Sequence, residues 1–158
     1  MDLKIRGKID RVDTDGTGNF IIIDYKTGSA PERKSMLKGY NMQLPLYMMA
    51  CEKLLGLKAA GGAYYQLKQG PGFGMNFMTA APDHFEEFGI GPRSKIDLQA
   101  DLRKCCENVK AALDGMANGK FHPVNDLDGE RCKYCLFAKV CRKDEMRILR
   151  MTLGPEVV

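Results

Sequence analysis

Apolar and charged residues alternate at the start of the chain, where Leu3, Ile5 and Ile9 are interleaved with Lys4, Arg6, Lys8 and Asp10. A period of two sends successive side chains to opposite faces and predicts a half-buried strand. The stretch Asp13-Thr14-Asp15-Gly16-Thr17-Gly18-Asn19 supplies the turn formers needed to reverse it, and the β-branched run from Phe20 to Tyr25 predicts the second arm of a hairpin. Gly28 to Lys34, with Pro31 and several charges, reads as a loop. From Asn41 to Leu55 the sequence is apolar nearly all round, rich in helix formers and free of β-branched residues, so it predicts a buried helix with Pro45 in its first turn. Lys58 to Lys68 is a further strand, its start weakened by Gly61 and Gly62. Gly70-Pro71-Gly72-Phe73-Gly74 breaks it, and Met75 to Thr79 returns as a short edge strand. Ala80 to Pro92 shows no clear period. Ser94 and Asp97 resemble a capping box with Asp in place of Glu, and Leu98, Leu102, Cys105, Val109, Leu113 and Met116 follow at helical spacing, closing near Gly115 or Gly119. The order strand, strand, helix, strand, short strand, helix is that of a mixed α/β domain without internal repeats.

The 158 residues suit about one domain, and 44% hydrophobic with 28% charged residues excludes a collagen-like or coiled-coil chain. No apolar run reaches membrane-spanning length and the first residues are charged rather than signal-like, which predicts a cytoplasmic protein with no membrane partner. The net charge of +4 is concentrated. Residues 131 to 150 hold seven basic and two acidic residues, together with three of the six cysteines.

Alternation places Asp24 and Lys26 on one face of the second arm, with Tyr25 pointing away. If residues 12 and 22 face each other across the hairpin, 10 faces 24, so that two carboxylates and an ammonium converge. Two acids side by side call for a cation, and hard oxygen ligands suit Mg²⁺ or Mn²⁺. A simple cross-strand ion pair is the rival reading of these residues. So is a calcium loop, since Asp13, Asp15, Thr17, Gly18 and Asp24 fall at calcium-loop spacing, although such a loop needs helical flanks and these flanks alternate as strands. Gln43 and Tyr47 lie four residues apart on one helical face, and as polar groups in an apolar helix they need partners or a packed, locally satisfied position.

The segments Gly7-Lys8-Ile9-Asp10-Arg11-Val12-Asp13, Ile23-Asp24-Tyr25-Lys26-Thr27-Gly28 and Gln43-Leu44-Pro45-Leu46-Tyr47 resemble, in order, the motifs of the RecB-like branch of the PD-(D/E)XK nucleases. The resemblance implies a restriction-endonuclease-like mixed sheet flanked by helices and metal-dependent cleavage of DNA. It makes Asp10 and Asp24 ligands of Mg²⁺ or Mn²⁺, with the Tyr25 carbonyl as a third, and Lys26 the catalytic lysine. Gln43 and Tyr47 would steady the site or the DNA, and Asp13 would be structural. The family carries an earlier helix with a first motif that has no counterpart before Asp2, so the chain is expected to be a piece of a longer protein.

Cys132-x₂-Cys135-x₅-Cys141, in a sequence without a secretory signal, favours metal binding over disulfides, and the surrounding bases favour the thiolate form. Zinc and iron–sulfur centres both need a fourth ligand. The tail from Arg131 to Arg142 resembles the end of the iron–sulfur nucleases, namely AddB-type subunits of bacterial helicase-nucleases and CRISPR-associated exonucleases. That resemblance implies a 4Fe-4S cluster bound by Cys132, Cys135, Cys141 and a cysteine from far upstream. Of the local substitutes, Cys51 and Cys105 read as core, Cys106 lies beside a core stripe, and His122 is the remaining candidate. Arg131, Lys133, Lys139, Arg142 and Lys143 either form a solvated face or contact a phosphate backbone without reading sequence. The expectation is therefore a nuclease core over residues 1–120, a cysteine-rich basic iron–sulfur segment over 121–150 and a tail over 151–158. Its function would be that of a DNA exonuclease domain in a helicase-nuclease with a partner subunit, acting in double-strand break repair. The alternatives are a stand-alone CRISPR-associated exonuclease and an inactive DNA-binding module of the same fold.

Overall fold

A computed structural model describes residues 4–68, 72–73, 78–79, 96–120, 132, 134–137, 139–141 and 146. Strands β1 (Arg11–Thr14) and β2 (Asn19–Lys26) form the antiparallel hairpin, with Arg11 opposite Ile23 and Val12 opposite Ile22, the expected register. Its turn is built by Asp15, whose carboxylate accepts hydrogen bonds from the Thr17 and Asn19 backbone N–H groups at 2.7 and 3.0 Å and from Asn19 Nδ2 at 2.6 Å. Gly16 and Gly18 take the positive φ values of 74° and 107° that close it. Asp13 is engaged by Arg11 at 2.7 and 2.6 Å, so this loop is a strand-flanked reversal and not a calcium loop.

β1 begins later than the alternation predicts. Continuing the register would pair Ile9 with Tyr25, but the Tyr25 N–H donates instead to the Asp10 carboxylate, at 3.1 Å, and the ladder ends there. Residues 4–8 are exposed, while Ile9 is half-buried against the core.

β2 is buried on both faces from Phe20 to Asp24 and pairs in parallel with β3 (Lys58–Gln66), which sets Asp24 beside Tyr64 and Lys26 beside Gln66. The register shifts after Phe20, with Ala59 and Gly61 as successive partners, so one residue of β3 bulges out. The glycines that weakened the prediction have a packing reason at Gly62, where an added Cβ would lie 3.4 Å from both Leu44 methyl carbons of the covering helix. Two-residue strands β4 (Gly72–Phe73) and β5 (Met78–Thr79) pair antiparallel with β3. The Gly-Pro-Gly stretch read as a break therefore carries β4.

Two helices connect β2 to β3. The first, α1 (Arg33–Leu37), falls partly in the segment read as a loop. Its five residues are too few to display a helical period, and it is fixed by burial of Met36 and by tertiary bonds described below. α2 (Gln43–Leu55) has Pro45 in its first turn, where its missing N–H belongs to the unpaired set, and ends at Gly56 in the left-handed conformation. It buries Leu44, Pro45, Met48 and Cys51, but Leu54 is 80% exposed and Leu55 is also exposed, so the helix is one-sided rather than enclosed.

α3 (Leu98–Ala117) is capped by Asp97, whose carboxylate accepts the Ala100 N–H at 2.9 Å. Asp97 is thus itself a cap, and Ser94, the other half of the expected capping box, lies outside the described residues. The apolar stripe is buried at Leu98, Leu102 and Cys105 and emerges towards solvent at Met116. The Asp101 carboxylate, buried, takes a two-pronged ion pair from Arg33 at 2.7 and 2.5 Å, and Asn108 Nδ2 donates to the last carbonyl of α1, Leu37, at 2.9 Å. One core cluster joins Phe20, Ile22, Met36, Leu44, Met48, Tyr64, Leu98 and Leu102; Ile21, Ile23, Ala60 and Ala63 form another on the opposite face of the sheet.

The chain divides into two compact units, residues 1–112 and 113–158. In the second, α3 closes with Gly119 at φ 68°, the Lys120 and Gly119 N–H groups donating to the Gly115 and Met116 carbonyls at 2.8 and 3.1 Å. Further on, Cys135 N–H donates to the Cys132 carbonyl at 3.2 Å, and the Val140 and Cys141 N–H groups converge on the Phe137 carbonyl at 3.0 and 2.8 Å. Among the described residues no helix is long and apolar enough to cross a membrane.

Candidate active site

Asp24 is placed by the sheet. As the last buried residue of a strand covered on both faces, it carries its carboxylate into the helix side of the core, with 3% of the side chain exposed. Lys26, two residues on and therefore on the same face, sits where that strand reaches the surface and keeps 26% of its side chain exposed. Its Nζ lies 2.5 Å from Asp24 Oδ2, yet off the line of a hydrogen bond, and it donates instead to Gln43 Oε1 at 2.9 Å. Asp24 Oδ2 is thus a buried oxygen with a neighbouring positive charge and no hydrogen bond. Such an oxygen is costly unless another electropositive partner completes its shell.

Asp10, the residue before β1, bonds to the backbone next to Asp24. Its Oδ2 accepts from the nitrogen of the peptide that links Asp24 to Tyr25. A residue in an extended strand sends its own N–H and C=O to the same edge. The Tyr25 carbonyl therefore also projects towards the Asp10 side, while the Lys26 carbonyl faces β3 and accepts the Leu67 N–H at 2.9 Å. The Tyr25 side chain turns away, edge-on to Tyr65 with ring centroids 5.7 Å apart. The contacts are thus pairwise: Lys26 touches Asp24 and Gln43, and Asp10 is bonded to the Tyr25 backbone.

Two participants were not foreseen. Tyr64, fully buried beside Asp24 on β3, lies beneath the Lys26 ammonium, 5.3 Å from ring centroid to Nζ, and its hydroxyl donates to Asn41 Oδ1 at 3.1 Å. Burial, with the Asp24 charge adding to it, pushes the Tyr64 phenol well above its ordinary range, so it acts as a neutral hydrogen-bond donor. Asn41 stands two residues before Gln43, so this bond ties the start of α2 to the sheet and holds Gln43 over Lys26. No local signal marks Tyr64, because its place depends on parallel pairing between segments some forty residues apart.

Tyr47 packs against the segment that precedes Asp10. A Cβ built on Gly7 would fall 2.6 Å from Tyr47 Cε1 and 3.0 Å from its hydroxyl oxygen. The phenol ring is packed against the bare Gly7 backbone, three residues before Asp10, and so supports the segment that delivers this acid.

Cys51 and Cys105 are buried core thiols, and burial raises the Cys105 thiol to about 11. Cys106 is exposed, its sulfur 3.2 Å from Met49 Sδ. Cys132 and Cys141 are half-buried and Cys135 is exposed, all three as free thiols, and Lys139 is exposed. His122, Arg131, Lys133, Arg142 and Lys143 lie outside the described residues. Among the described residues no three His, Cys, Asp or Glu side chains converge on one point. The donors at the hairpin, two carboxylates and a carbonyl, are nevertheless of the oxygen type that suits a hard divalent cation, and one Asp24 oxygen is left without a hydrogen bond.

The family model of the PD-(D/E)XK nuclease superfamily matches residues 1–142. No curated protein and no solved structure matches the chain.

Proposed function

Because the chain belongs to the PD-(D/E)XK nuclease superfamily, we propose that it is a divalent-metal-dependent DNA nuclease reacting at Asp10, Asp24 and Lys26. The observation that carries this reading is the buried Asp24 oxygen left without a hydrogen bond beside the Lys26 ammonium. Asp10, Asp24 and the Tyr25 carbonyl would hold Mg²⁺ or Mn²⁺. When bound, such an ion polarises a phosphoryl oxygen and makes a coordinated water nucleophilic at neutral pH. Lys26 contributes a positive charge at the mouth of the site, fixed by Gln43 and Tyr64, where negative charge grows on the phosphate in the transition state. Its partial exposure lets it meet the substrate, whereas Asp24 lies beneath it. Tyr47 positions Asp10 through Gly7.

The finer assignment is an exonuclease domain of a bacterial helicase-nuclease that works with a partner subunit in double-strand break repair. It is supported by the cysteine spacing of the tail, in which Cys132, Cys135 and Cys141 would supply three thiolates of a 4Fe-4S cluster. Among the described residues these three thiols do not converge on one point.

The test is cleavage of labelled DNA by the protein with Mg²⁺, Mn²⁺ or EDTA, beside Asp24→Ala and Lys26→Ala. Metal-dependent cleavage that falls at least a hundredfold in both variants is expected. Equal cleavage by all three proteins would remove this hairpin from the chemistry.

A further inference from the structure

We propose that the segment Lys4 to Ile9 is a phosphate-binding arm that leads the DNA strand to Asp10, an inference that rests on the nuclease reading above. Lys4, Arg6 and Lys8 are all exposed, and among the described residues none of them has an ion-pair or hydrogen-bond partner. The next three cations of the chain are each engaged by a carboxylate, Arg11 by Asp13, Lys26 by Asp24 and Arg33 by Asp101. No acidic residue interrupts positions 4 to 9. Three uncompensated charges therefore occupy one short stretch.

The arm is held. Gly7 rests on the Tyr47 ring with no room for a side chain, Ile9 packs against the core, and Asp10 accepts the Tyr25 N–H. A chain of six residues spans at most about 22 Å, so all three cations stand within a few nucleotides of Asp10. A held backbone that presents unpaired cations loses little entropy on meeting a row of phosphates, and each contact releases condensed counterions. The chemistry selected is a polyanionic backbone read without regard to base sequence.

The experiment measures binding of a fluorescent single-stranded oligonucleotide in EDTA across 50 to 200 mM salt. It compares the protein, the triple variant Lys4→Gln, Arg6→Gln, Lys8→Gln, and a charge-matched control, Lys34→Gln, Lys53→Gln, Lys110→Gln, whose three lysines are also exposed. Losing three contacts flattens the slope of log affinity against log salt by about 2 and weakens binding about a hundredfold at 50 mM salt. The control is expected to bind like the parent. Equal slopes in arm variant and parent, or an equal loss in the control, would overturn the arm. If the arm variant loses binding while the parent fails to cleave with Mg²⁺ or Mn²⁺, the nuclease reading falls and the arm stands. If the parent cleaves and the arm variant binds normally, the reverse holds.

Discussion

Replacing Lys26 by Met keeps an unbranched side chain only one atom shorter and removes its charge. It leaves the buried Asp24 Oδ2 with neither its neighbouring charge nor a hydrogen bond, and deprives Gln43 Oε1 of its donor. Breaking a buried ion pair from one side costs about 3–5 kcal/mol. Because Lys26 is itself a quarter exposed, water can enter its vacated place, and about 3 kcal/mol is the appropriate figure. For a chain of this size that corresponds to a fall in melting temperature of about 6–12 °C. The assay is thermal unfolding followed by circular dichroism at pH 7 in EDTA, so that no metal replaces the missing charge. The double variant Asp24→Asn, Lys26→Met removes the stranded anion as well and is expected to return to within about 1 kcal/mol of the parent, since a neutral pair of similar volume carries no such penalty. A Lys26→Met protein that melts within 2 °C of the parent, or a double variant as unstable as the single one, would refute the claim that Lys26 compensates a buried Asp24 charge.

Four further outcomes are expected. Gly7→Ala pushes a methyl group into the Tyr47 ring and should cost about 1–3 kcal/mol in urea unfolding, with at least half recovered when Tyr47→Leu is added; an additive loss would show that the two do not touch. Of the cysteines between residues 4 and 120, Cys106 should react at once with a thiol reagent, while Cys51 and Cys105 react only on unfolding, as read by mass spectrometry of labelled peptides. Because the folded Cys105 thiol is raised to about 11 by burial, its contribution is complete below pH 9 and is lost as pH rises towards 11; Cys105→Ala should flatten that part of the stability profile. Asp15, held well below the ordinary carboxylate range by Asn19 and Thr17, contributes above about pH 4 and loses that contribution as pH falls through its folded value; the urea-unfolding difference between the parent and Asp15→Ala should shrink accordingly in acid.

Local pattern alone determined the hairpin, the helix α2 and the polar pair on that helix, because each depends on neighbours within a few residues; the register could only be supposed until the pairing was seen. Asp10, Asp24, Lys26 and Gln43 were legible for that reason, and ordered motifs tied them to one family. The ends of the elements were less legible. β1 stops short because a side chain, Asp10, takes the rung that a backbone group would have taken, and α1 forms in five residues because Arg33 meets Asp101 on a helix far along the chain. Only the tertiary structure decided what surrounds the reactive groups. Parallel pairing of β2 with β3 slides Tyr64 under Lys26 and ties it to Asn41, and the packing of α2 sets Tyr47 against Gly7. These contacts join residues 23 to 40 positions apart, and no period along the chain encodes which of its distant residues will share a face.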